Sequence, residues 1–147
     1  MEGELIMTDL KNGIIEINGF EISSKTKPNE VEQTLSNIIF DNGFTKSKKG
    51  QGIYLKNALI ENQLFNADLF FYEGKLEDIK LISLHDTPLA YEERFKADCE
   101  WLKLILGEPT KTGSNGVVYI FDCVQIGATN WECDGRSGPD EYISISF

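Results

Sequence analysis

Asn130, Glu132, Asp134, Gly135 and Glu141 occupy positions 1, 3, 5, 6 and 12 of a calcium-loop template. Alternate oxygen donors at that spacing converge on a hard cation, and the glycine permits the sharp turn. The template is imperfect: position 1 is asparagine, position 8 is Ser137 where an apolar residue belongs, and the flanks read as strands. Asp134-Gly135 is explained equally by a hairpin turn. Zinc has less support, because there is no paired-cysteine motif and the single histidine, His85, is distant in sequence. His85 is followed by Asp86, but neighbouring residues of a strand point to opposite faces, so adjacency alone makes no catalytic pair. With 24 acidic residues in 147, carboxylate neighbours such as Glu77-Asp78, Glu92-Glu93 and Asp140-Glu141 arise by chance. No phosphate-cradling glycine loop, nucleophile elbow or dinucleotide fingerprint is present. The expectation is a chain that is not an enzyme and needs no cofactor.

Composition narrows the partners. Net charge is −10, from 24 acidic and 14 basic residues, which repels nucleic-acid backbones and anionic lipid and attracts basic proteins. No stretch approaches the ~18 apolar residues of a membrane span. The start, Met1-Glu2-Gly3-Glu4, lacks the basic-then-apolar pattern of a secretory signal. Three cysteines, Cys99, Cys123 and Cys133, cannot all pair within one chain, and are read as small buried hydrophobes with reduced thiols. Together these features predict a cytoplasmic location.

The elements that must position any site are written twice. Gly43 recurs as Gly107 and Gly52 as Gly116, a spacing of 64; farther on Ala67/Ala128 and Gly74/Gly135 are 61 apart, and Ile82/Ile145 and Leu84/Phe147 are 63 apart. Leu5 to Ser23 reads as short strands punctuated by Asn12-Gly13 and Asn18-Gly19. Pro28 opens a helix whose stripe is Val31, Leu35, Ile38 and Ile39, with Asn42-Gly43 as its C-cap. Lys46, Lys48, Lys49, Gly50 and Gly52 read as a basic loop. Strands follow over Gly52 to Ala58, Leu64 to Tyr72 and Leu76 to His85, with a turn at Glu73-Gly74. Within the second, Phe65, Ala67, Leu69 and Phe71 share one face, and Asn66, Asp68, Phe70 and Tyr72 the other.

Thr87-Pro88 starts a second helix with a stripe of Phe95, Cys99, Leu102 and Leu106, ended by Gly107 and Pro109. Three strands close the chain: Val117 to Cys123, Gln125 to Glu132, and Glu141 to Phe147. The expected fold is α+β: a mostly antiparallel sheet with two helices on one face, in a tandem α-β-β-β pseudo-repeat. All of residues 1–147 form one domain, with pseudo-repeats at about 26–86 and 87–147 behind an N-terminal β-hairpin. The opposite face, carrying Phe70 and Tyr72, is left open.

Trp101-Leu102, Leu106-Gly107-Glu108-Pro109, Asp134-Gly135-Arg136-Ser137-Gly138 and the closing Ile143-Ser144-Ile145 resemble a group of small, uncharacterised bacterial cytosolic proteins. Phe70-Phe71-Tyr72-Glu73-Gly74-Lys75-Leu76 and Ile17-Asn18-Gly19-Phe20 fit the same group, whereas Val124-Gln125-Ile126 departs from its expected glycine-led turn. Some members look like immunity proteins that neutralise a co-produced toxin. The resemblance implies a fold and carries over no catalytic residues; together with the net charge of −10 it points to a protein partner, a basic toxin domain. The expected contacts are Phe70, Tyr72, Glu73, Glu77, Trp131 and Asp134. A small-ligand or calcium site at Asn130, Glu132, Asp134 and Glu141 is the alternative, and a hydrolase of unrecognised type ranks last.

Overall fold

The computed structural model describes residues 9–41, 50–85, 91–113, 116–132 and 139–147; for 41, 91, 129–132 and 139–141 it describes the backbone only. The first half contains β1 (Ile15–Ile17), β2 (Phe20–Ile22), α1 (Pro28–Thr34), β3 (Ile39–Asp41), β4 (Gly50–Ile60), β5 (Gln63–Tyr72) and β6 (Lys75–Ser83). The second contains α2 (Tyr91–Leu106), β7 (Lys111–Gly113), β8 (Gly116–Ile120), β9 (Gln125–Glu132) and β10 (Pro139–Ser146). One eight-stranded antiparallel sheet runs in the order β3-β4-β5-β6-β10-β9-β8-β7, and β1-β2 forms a separate hairpin. Each half is thus a meander of four strands, one more than the sequence pattern suggests, and the meanders meet where the last strand of one pairs with the last strand of the other.

Side-chain alternation dictates this sheet. Cross-strand partners form two apolar rows, Ile53–Leu69–Ile79–Ile145–Ile126–Tyr119 and Leu55–Ala67–Leu81–Ile143–Ala128–Val117. All but Val117 are buried. Fully burying an aliphatic side chain contributes about 1.5–3 kcal/mol, so the rows specify register as well as stability: a one-residue slip would turn each set to the other face. The rows correct one sequence echo: Ile82 lies on the helix-free face while Ile145 is in the core, so that pair joins opposite faces. Leu81 and Ile143, in register across the seam, are both buried.

One face of the sheet is covered. Leu102 of α2 is fully buried, with Phe95, Cys99, Trp101 and Leu106 packed against the same core. Trp101 meets Phe65 edge-to-face at 5.0 Å. Over the other half lie Ile15, Ile17 and Ile22 of the hairpin, then Val31 and Leu35, all buried. Asn18-Gly19 makes the hairpin turn with φ of 51° and 85°, the left-handed geometry those residue types accept.

Three expectations change. The first helix stops at Thr34; a 3-10 turn over Ser36–Ile38 follows, and Ile39 enters β3 opposite Leu55. Ile38 and Ile39 are β-branched and sit as well in a strand as on a helical stripe, and pairing gives the chain another rung. Asn42-Gly43, Lys46, Lys48, Lys49 and Thr87-Pro88 lie outside the described residues. Gly50, expected in a loop, belongs to β4, which begins two residues before the expected start at Gly52. The thiols differ too: Cys99 is half-buried, Cys123 is exposed, the two are not joined in a disulfide, and Cys133 is outside the described residues. Cys123 sits in the turn closed by Phe121 N–H donating to the carbonyl of Val124 (3.0 Å), and it is Val124 that turns inward.

Gly107 caps α2 with φ 82°, its N–H donating to the carbonyl of Lys103 (2.9 Å). The Tyr119 hydroxyl donates to the Gly107 carbonyl at 2.7 Å, tying the helix end to β8. Tyr119→Phe should therefore lower unfolding free energy by about 1 kcal/mol, read as a lower urea midpoint at unchanged slope; an unchanged midpoint would show that the tether contributes nothing.

Candidate functional site: the helix-free face

The residues alternating with the core rows form the opposite face. Its central row is Tyr54–Asp68–Lys80–Ser144–Gly127–Val118, and the next is Gly52–Phe70–Asp78–Ser146–Gln125–Ile120. Among the described residues no helix packs on this face, and large apolar side chains stay in water there: Phe40 is 68% exposed, Phe70 38%, Tyr72 41% and Ile120 47%. Isolated exposed apolar residues are ordinary, but several on one sheet face form a candidate contact surface.

Local chemistry is finely divided. Lys80 Nζ lies 4.5 Å from the Tyr142 ring centre and Lys56 Nζ 5.2 Å from that of Phe40, so both ammonium groups rest on aromatic rings. The Ser146 hydroxyl donates to Asp78 Oδ1 at 2.7 Å. A groove of about 340 Å³ is walled by Phe40, Tyr54, Lys56, Asn66 and Ile82, with Asp68 inside it. A second recess of about 200 Å³ lies beyond Tyr54, bounded by Gly52, Phe70, Asp78 and Lys80, and Asp68 lines it too. Gly127 keeps the middle of the face low: a Cβ there would lie 3.2 Å from the carbonyl oxygen of Val117.

Burial pushes the Asp68 carboxyl above its usual range, and the Lys80 ammonium offsets only part of that rise. The folded state then holds its proton to higher pH than the unfolded chain, so this carboxylate costs stability above the unfolded value near 3.8 and nothing below it. Asp68→Asn should stabilise the fold at pH 7, and the gain should shrink and vanish as pH falls through that window. Thermal unfolding of both proteins across pH 3–7 checks this; a gain independent of pH would overturn it.

The residues expected to act in binding are placed as follows. Phe70 and Tyr72 lie together on the helix-free face. Glu73 is exposed in the β5–β6 turn with φ 51°. Glu77 is exposed where the β5–β6 register shifts, its carbonyl accepting the Phe147 N–H at 3.0 Å. The backbone of Trp131 pairs with Asp140 in the β9–β10 ladder; its side chain and all of Asp134 lie outside the described residues. For the cation alternative, Asn130 and Glu141 are direct backbone partners in that ladder and Glu132 pairs with Pro139, while the side chains lie outside the described residues. Among the described residues no three His, Cys, Asp or Glu side chains are grouped to hold a metal ion. His85 Nε2 is 3.0 Å from Ser83 Oγ, and that serine is buried at the sheet end.

Sequence reasoning missed two features. Asp68 was read as one polar residue among alternating ones, yet it is the half-buried carboxylate of the groove. Asp98 is 2% exposed on α2; the signal was its spacing, three residues after Phe95 and four before Leu102.

Net charge and this face do not coincide. Among the described residues the two central rows carry Asp68 and Asp78 against Lys80, with Lys56 at the groove wall, whereas Glu92 and Glu100 are exposed on α2 and Glu73 and Glu77 stand at or near the hairpin turn. No described helix is long and apolar enough to cross a membrane. Comparison of the chain with protein-family models, with curated proteins and with solved structures gives no match.

Proposed function

We propose that this chain is a non-enzymatic binding protein: an acidic inhibitor of the immunity-protein kind, acting in the cytoplasm, which neutralises a basic bacterial toxin domain by direct contact. The observation that carries the reading is the helix-free sheet face, on which Phe70, Tyr72 and Phe40 remain exposed and Phe40 walls a groove. Aromatic side chains of this kind dominate protein–protein affinity when a partner desolvates them. The net charge of −10 acts at longer range, raising the encounter rate with a basic protein. Because the face itself is close to electrically balanced, attraction comes from the molecule as a whole and grip from the rings.

Co-expression tests the proposal. Proteins retained from a lysate of the native host by the immobilised chain are expressed singly in a surrogate bacterium. The expected result is that one arrests growth and that co-expressing this chain restores it. Retained proteins that are all harmless, or an arrest that persists despite co-expression, would overturn the reading.

A further inference from the structure

Asp68 is an odd residue to find in a mostly apolar groove. Its cross-strand neighbours are Tyr54 and Lys80, yet among the described residues its carboxylate has no hydrogen bond and no ion pair within 4 Å. Lys80, the obvious partner, has its ammonium on the Tyr142 ring, and Lys56 has its ammonium on the Phe40 ring. The groove thus sets a partly desolvated carboxylate, its burial only partly offset by Lys80, beside two aromatic walls, Tyr54 and a Phe40 ring that carries Lys56.

We propose that this groove is a socket for an arginine side chain of the protein partner, with Asp68 as its floor. The inference rests on the reading of the helix-free face as a surface for a basic protein. Guanidinium is the cation that suits the site: it is planar, stacks on aromatic rings, is weakly hydrated, and meets a carboxylate through two parallel hydrogen bonds. A lysine ammonium is a compact, strongly hydrated charge and gains less from aromatic walls. Lys56 and Lys80 oppose an incoming cation; Lys80 rests on Tyr142 outside the groove, and the flexible Lys56 side chain swings off the Phe40 ring when a guanidinium stacks there. The groove volume of about 340 Å³ accommodates one extended side chain.

The probe is Nα-acetyl-arginine amide, titrated into ¹⁵N-labelled protein at millimolar concentration, with the citrulline and lysine analogues as controls. Citrulline keeps the shape and loses the charge. The arginine probe should shift amide signals clustered at Tyr54, Asn66, Asp68 and Ile82, the two controls should bind more weakly, and Asp68→Asn should reduce arginine affinity by roughly tenfold or more. No localised shift, equal binding of citrulline or lysine, or an unaltered Asp68→Asn titration would overturn the socket. A partner complex separates this outcome from failure of the face itself. If alanine at Phe70 and Tyr72 weakens the complex and Asp68→Asn does not, the face stands and the socket falls. If neither change matters, both fall.

Discussion

Truncating Ile145 to alanine is expected to cost about 2–5 kcal/mol, the range for removing a buried aliphatic side chain from a packed core. Ile145 is fully buried and sits opposite Ile79 across the seam between the halves and opposite Ile126 on its other side. The loss therefore combines the removed methylene groups with a cavity where two meanders join, and covering elements anchored on both sides limit collapse into it. Equilibrium urea unfolding measures the effect as a lowered midpoint. A loss below about 1 kcal/mol would mean the seam repacks freely, contrary to a core in which both rows run unbroken across it.

The second large effect is on association. Replacing Phe70 and Tyr72 with alanine should weaken a cognate complex by about 2–4 kcal/mol, the scale of aromatic hot spots, while changing unfolding free energy far less. The asymmetry follows from placement. Phe70 stands opposite Gly52 on one side and Asp78 on the other, with 38% of its surface in water, and Tyr72 is 41% exposed near the turn. Truncation removes contact surface without hollowing the core beneath, which is filled by Leu69 and Phe71. Calorimetry of the complex and urea unfolding of the free variant separate the two quantities. Unchanged affinity would remove these rings from the contact surface; a matching collapse of stability would make them structural.

The long strands were legible because period-2 alternation is a direct imprint of one buried face. Phe65, Ala67, Leu69 and Phe71 in β5 and Ile143 and Ile145 in β10 declare it without outside information. The short edge strands were not. Lys111-Thr112-Gly113 is exposed throughout and carries no apolar signal, so β7 exists only through pairing with β8. Ile39 could be read on either period, and only its partner Leu55, supplied from another strand, decides. The groove was illegible for a deeper reason. Asp68 acquires its character from Tyr54 and Lys80 across two ladders, each with a register shift, between Leu55 and Ala58 and between Phe70 and Phe71. Local pattern names the face of a residue but not its neighbours.

The joint between β6 and β10 has four rungs, Leu81–Ile143, Lys80–Ser144, Ile79–Ile145 and Asp78–Ser146, whereas β5–β6 and β9–β10 have eight each. The sheet is thus two leaves bound along a short spine. α2 bridges that spine, packing on β9 and β10 of the second leaf while its Trp101 meets Phe65 of the first. Few backbone pairs cross between the leaves, so their union leans on the buried side chains beside the spine, Ile79 and Leu81 against Ile145 and Ile143.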